Sequence, residues 1–197
     1  MFKDPQDYEF TKNLEENWLV IKQELEQISS NDFLDWPEKH LYGKGWQTFG
    51  LYAFGMKLNK NCRLCPETTK LIENVPDMVT AGFSSLLPNT HIQPHTGYPE
   101  GLLRCHLGLI GCSGCSLRVG DDIRDWQEGK CLVFDDTTEH EAWNRGDRNR
   151  VVLLLDFRSK ELESKLKSKP KKQNQDSDDG NSNVKGVWQS LKSLLSK

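Results

Sequence analysis

Apolar residues recur near the start of the chain at a spacing of three and four. Phe10, Leu14, Trp18, Ile21, Leu25 and Ile28 fall on one face of a helix predicted over Asp7 to Ile28. Glu15, Glu16, Lys22, Glu24 and Glu26 take the other positions, so the helix is expected to lie with its apolar stripe on the body of the protein. Between Gly45 and Leu58, Trp46, Phe49, Leu51, Tyr52, Phe54 and Met56 predict one or two strands, closed by a turn at Asn59-Lys60-Asn61. Pro66 opens a short helix through Ile72, at the one place where its missing N–H costs nothing.

Past Pro76 the texture becomes wholly β. Short apolar or alternating runs fall at Val79 to Leu87, His91 to Pro94, Leu102 to Ile110, Cys115 to Val119, Lys130 to Phe134 and Arg150 to Phe157. Turn chemistry separates them, as at Pro88-Asn89, Gly97-Tyr98-Pro99, Gly120-Asp121-Asp122 and Gly146-Asp147. Many short strands predict a mainly β fold, a sandwich or jelly-roll barrel able to hold a ligand between its sheets. The expected layout is a helical segment over 1–44, the barrel over 45–162, a charged flexible linker over 163–183 and an amphipathic helix over 184–197. That last helix, with Val184, Val187, Trp188, Leu191, Leu194 and Leu195 on one face, is open to its own domain, a partner protein or a membrane surface.

Composition narrows the classes. The chain has 197 residues, enough for one domain, and a formal charge of −3, so a nucleic-acid partner is not expected. No stretch approaches the roughly 18 apolar residues of a membrane span, and Met1-Phe2-Lys3-Asp4-Pro5 has no signal-peptide character, so a soluble cytoplasmic protein is expected. Its six cysteines then read as reduced thiols.

Strand parity picks out the chemistry. In the run from Leu102, one face carries Leu102, Arg104, His106 and Gly108, the other Leu103, Cys105, Leu107 and Leu109. In the last run, Arg148, Arg150, Val152 and Leu154 oppose Val151, Leu153 and Leu155. Arg150 either faces water at a strand start or, facing inward, needs a carboxylate, and a dicarboxylate ligand would suit its planar fork. His95 ends one strand-like run, and His140 follows another in an expected loop after Asp135-Asp136. One histidine is more often a satisfied polar residue than a ligand, but two from different strands suit iron or another first-row metal. The carboxylate that nonhaem iron sites usually add two residues after the first histidine is missing, because that residue is Gly97. Asp135, Asp136, Glu139 and Glu141 are carboxylates for turns or for orienting the imidazoles. A rival metal site is zinc on two CxxC pairs, Cys62/Cys65 and Cys112/Cys115, while Cys105 and Cys131 read as core.

In order along the chain, Pro94-His95-Thr96-Gly97, Leu103-Arg104-Cys105-His106-Leu107-Gly108-Leu109, Phe134-Asp135-Asp136, Glu139-His140-Glu141-Ala142-Trp143-Asn144 and Arg150-Val151-Val152 resemble the aspartyl/asparaginyl β-hydroxylase family. The resemblance covers roughly Val79 to Leu162. It implies a double-stranded β-helix and an iron(II)- and 2-oxoglutarate-dependent oxygenase that consumes O2 and releases succinate and CO2. It also implies iron held by His95 and His140 without a carboxylate, the distal carboxylate of 2-oxoglutarate on Arg150 assisted by Ser84, and Arg104 and His106 lining the same pocket against cosubstrate or substrate. One position departs: Leu102 stands where the animal enzymes acting on growth-factor-like domains carry a further arginine. The expected substrate is a peptide, an amino acid or a lipid. The rival readings are a noncatalytic cupin-like module for an acidic ligand and a zinc-stabilised interaction domain.

Overall fold

The computed structural model describes residues 1–97 and 101–159; the expected linker and C-terminal helix lie outside them. In chain order the strands are β1 (Phe2–Lys3), β2 (Leu34–Asp35), β3 (Trp46–Ala53), β4 (Met56–Lys57), β5 (Met78–Leu86), β6 (Thr90–His95), β7 (Leu102–Ile110), β8 (Cys115–Val119), β9 (Asp122–Asp125), β10 (Cys131–Asp135), β11 (His140–Asn144) and β12 (Arg150–Arg158). The α-helices are α1 (Glu9–Glu16), α2 (Trp18–Glu26), α3 (Asn59–Leu64) and α4 (Pro66–Glu73). A large antiparallel sheet runs β1-β10-β7-β12-β5-β3-β2, with β4 on β3, and a small one runs β6-β11-β8-β9. From β5 onward the chain crosses back and forth between the two sheets, which is the winding of a double-stranded β-helix.

The period-2 pattern decides which face each side chain takes. Leu103, Cys105, Leu107 and Leu109 of β7 and Val151, Leu153 and Leu155 of β12 form an outer core with Leu14, Ile21, Leu25 and Ile72 of the helices. Val152, Leu154, Leu86 and Trp46 turn inward and meet Ile92, Leu117, Val119 and Ala142 of the small sheet. Each such side chain fully withdrawn from water stabilises the fold by roughly 1.5–3 kcal/mol. Carboxylates on the helices fasten them in place. Glu24 accepts from Glu67 N and Thr68 N, both at 2.8 Å, capping the N-terminus of α4, and Glu15 accepts from Cys131 N at 2.9 Å.

Several expectations are corrected. The single helix over Asp7 to Ile28 is two, broken at Asn17, whose backbone (φ −107°, ψ 12°) leaves the helical region while its Nδ2 donates to Asn13 O at 2.8 Å. The apolar stripe survives the break, since Leu14, Ile21 and Leu25 all stay buried. Asn59-Lys60-Asn61, expected as a turn closing the strands before it, is the first turn of α3. The segment placed in a loop around His140 is β11, and part of the turn at Gly120-Asp121-Asp122 belongs to β9. The zinc reading fails on geometry, because Cys62 and Cys65 lie in the outer core and Cys112 and Cys115 in the inner one. Burial also pushes the Cys65 and Cys112 thiols up to about 12, away from thiolate. Among the described residues no helix is long and apolar enough to cross a membrane.

Candidate active site

β6 ends on His95 and β11 begins on His140, and the two residues are direct partners across the antiparallel pair. Their ring centroids are 4.2 Å apart. His95 Nδ1 lies 2.8 Å from Gln93 O and His140 Nδ1 2.8 Å from Thr138 O, in each case the carbonyl two residues earlier. A carbonyl only accepts, so each Nδ1 carries the ring proton and each Nε2 keeps its lone pair. Desolvation, with the neighbouring imidazole second, lowers the His140 pKa to about 3, and desolvation lowers that of His95 too. Two neutral imidazoles held by their far nitrogens suit a first-row metal ion. Among the described residues no group of three or more His, Cys, Asp or Glu side chains is placed to hold one.

Asp136 stands where the third ligand would be sought. Its side chain is fully buried, with Oδ1 3.5 Å from His140 Nε2 and 2.9 Å from Arg104 Nη1. A Cβ built on Gly97 would lie 1.7 Å from Asp136 Oδ2, and Gly97 N donates to Asp136 O at 2.8 Å. The space of a side chain at position 97 is therefore filled by the carboxylate of Asp136. Arg104 also donates its fork to Asp156, Nε to Oδ1 at 2.7 Å and Nη2 to Oδ2 at 3.0 Å. Both edges of its guanidinium are engaged by buried carboxylates, and its charge offsets theirs.

Arg150 is in the opposite situation. It is 1 % exposed, and among the described residues it forms no ion pair with a carboxylate. Nη1 reaches Ser84 O only at 3.5 Å, Nε has no partner, and the guanidinium lies 4.5 Å over the Trp126 ring. Burial lowers its pKa to about 10. Around it are further polar groups without partners among the described residues: Trp126 Nε1 and both ring nitrogens of His106. Burial, then the Arg150 and Arg104 charges, hold the His106 imidazole neutral. Ser84 Oγ accepts from Trp46 Nε1 at 3.0 Å and keeps its own O–H to give. Each orphaned group costs about 1–3 kcal/mol, so the set calls for a ligand rich in acceptors.

His95, His140, Arg104, His106, Ser84 and Arg150 thus line one chamber between the sheets, with Trp46, Trp126 and Leu154. Its cavity is small, about 20 Å³, so a dicarboxylate enters only as surrounding side chains turn aside. Sequence reasoning missed Trp126, a lone aromatic in a turn-rich stretch, and Asp156. The latter shares the inward parity of Arg150, Val152 and Leu154, a signal present in the sequence and unused.

Fold and chamber together define a cupin-type barrel with a two-histidine site beside an anion-hungry guanidinium. The family profile described as aspartyl/asparaginyl beta-hydroxylase matches residues 15–160, and the chain belongs to that family. The ornithine lipid ester-linked acyl 2-hydroxylase of Rhizobium tropici is 45 % identical over 115 residues, 57 % of this chain and 41 % of that protein. The human aspartyl/asparaginyl beta-hydroxylase is 37 % identical over 165 residues, 78 % of this chain and 22 % of that protein. Mouse aspartate beta-hydroxylase domain-containing protein 2 is 35 % identical over 158 residues, 73 % and 46 %. The chain therefore spans less than half the length of these relatives. Among solved structures, the cupin domain of Schizosaccharomyces pombe Cnp3 matches with a TM-score of 0.41 at 9 % identity over 68 % of this chain and 78 % of that one. The architecture stands on the strand order alone.

Proposed function

We propose that the protein is an iron(II)- and 2-oxoglutarate-dependent hydroxylase, with His95 and His140 holding the metal. The observation that carries this reading is Arg150: a buried, unpaired guanidinium in the same chamber as two imidazoles whose Nε2 lone pairs are free. A dicarboxylate would satisfy it bidentately. The Ser84 hydroxyl and the Trp126 indole N–H would donate to the same end of the ligand, and neutral His106 would contact it partway along. Iron(II), when bound, supplies the redox chemistry by which O2 converts a substrate C–H to C–OH while 2-oxoglutarate becomes succinate and CO2. The chain's own work is to keep both histidines neutral and oriented, to fix the cosubstrate by charge, and to exclude water between two packed sheets. The Arg104–Asp156–Asp136 cluster holds the inner wall beside the histidines without adding net positive charge to it. The relatives' names span an ester-linked acyl chain and aspartyl or asparaginyl residues, so a C–H bond of a lipid, peptide or amino acid is the class of target.

The test is succinate formation by iron-loaded protein supplied with 2-oxoglutarate and O2. Slow turnover without prime substrate is expected, with His95→Ala and His140→Ala losing iron and Arg150→Ala losing response to the cosubstrate. Iron bound equally well by the histidine variants, with no succinate from any preparation, would leave a noncatalytic ligand-binding barrel as the better reading.

A further inference from the structure

A second cavity, of about 550 Å³, opens beside the histidine chamber, within the roughly 300–1,000 Å³ usual for small-molecule sites. Its floor is the inner face of the large sheet where β3, β5 and β12 run side by side. Gly50 pairs with Gly82, and Gly82 with Leu154, so two of the three residues in that row carry no side chain. Leu34, Trp36, Leu58 and Leu64 contribute to the walls. Leu34 and Leu64 are large apolar residues 45 % and 51 % exposed, an unfavourable placement unless something apolar covers them.

The cavity adjoins the chamber. Leu154 lines both. Trp36 on the cavity side stacks on Trp46 on the chamber side at 4.5 Å, and Trp46 lies 6.5 Å from the His95 ring. Asp156 is in the cavity wall, while its partner Arg104 is in the chamber.

The chemistry of the lining selects the occupant. The backbone of β5 and β12 is already paired on both sides, and on the outer edge of β3 Gly50 O accepts from Asn61 Nδ2 and Leu51 O from Leu58 N, so the floor leaves an extended peptide little edge to pair with. Of the charged groups in the lining, Asp156 is held by Arg104 and Lys57 by Glu73 at 2.6 Å, while Asp32 and Lys60 are exposed. A peptide would bring backbone donors and acceptors that need partners, whereas an aliphatic chain needs none. Asn31, Asn59 and Lys60 at the exposed rim leave a polar headgroup in water. We propose that this cavity is the prime-substrate subsite and that it takes a long aliphatic acyl chain, one of whose methylenes reaches the His95–His140 chamber. The chemistry of that subsite rests on the hydroxylase reading; its binding does not.

The test uses the full-length chain and dansyl-undecanoic acid, read by energy transfer from tryptophan and by competition with dodecanoate. Saturable, competed binding is expected, weakened about tenfold or more in both Leu34→Glu and Leu64→Glu and unchanged in Ile123→Glu, an exposed residue on β9. Two rim variants at exposed positions guard against one failing to fold. Equal affinity in all four proteins, or no binding at all, would overturn the proposal. Binding that appears only after residues 160–197 are removed would also overturn it, making the chain's own tail the occupant. Succinate release on the same samples separates the two claims. Probe binding without succinate would sink the hydroxylase reading alone; succinate without probe binding would sink the subsite alone.

Discussion

Arg150 bears a full charge in the protein interior with an aromatic face, a distant carbonyl and no carboxylate among the described residues. Replacing it with leucine should therefore stabilise the ligand-free protein by about 1 kcal/mol or more in urea denaturation, while abolishing the stabilisation by 2-oxoglutarate that the proposed function predicts for the native chain. A fall in stability would show that another group already compensates the charge. The buried imidazoles give a second expectation. An unfolded histidine takes its proton at about pH 6.5, whereas His140 does so only at about 3 and His106 also well below its ordinary value. Between those limits the unfolded chain binds more protons. This contribution to stability is thus fully present above about pH 6.5 and declines as pH falls toward the folded values. His106→Asn should flatten that decline in urea midpoints taken across the window; an unchanged slope would mean His106 does not contribute to it. At this scale parity put Arg104 with His106 on one face of its strand and Arg150 with Val152 and Leu154 on another, but left open whether those faces met water or a pocket; the structure buries all three. Parity did not foresee that Arg104 would be met by Asp156, since a partner 52 residues away is set by the register between β7 and β12.

The elements were legible where burial is one-sided. β7, β8 and β12 follow their apolar runs, but β9 exposes all four residues and so lacks a hydrophobic pattern to read. β11 hides for a different reason. Its inward positions are His140, Ala142 and Asn144, of which two are polar, because that strand carries chemistry and an anchor instead of core. Asn144 Nδ2 donates to Leu86 O at 2.8 Å and to Arg148 O at 2.7 Å, tying the small sheet to the large. The helical layer depends on a comparable tie. Glu24→Ala should lower stability by about 1–2 kcal/mol through loss of the cap on α4, with Glu24→Gln keeping part of it, as read by chemical denaturation. If alanine costs nothing, α4 is held by its apolar face alone.

Across the molecule, the large sheet separates two cores, and the cysteines are divided between them. All six are buried as free thiols. A disulfide-exchange reagent such as Ellman's should accordingly label the native protein slowly and all six thiols once it is unfolded. Fast labelling of any thiol in the native state would contradict this placement. The same separation explains why sequence spacing misled at the CxxC pairs. Spacing along the chain says nothing about which face of a sheet each pair will join.

The fit between Gly97 and Asp136 constrains how such a site can change over evolutionary time. A single substitution that gave position 97 a carboxylate would collide with the one already there. Trimming Asp136 alone would remove the buried acceptor 2.9 Å from Arg104 Nη1 and open a hole beside His140. Each step is harmful before the other has occurred, so the two positions are epistatic. On the metal role proposed for His95 and His140, a barrel of this design is separated by a fitness valley from a three-ligand counterpart, and drift at either residue alone will not cross it.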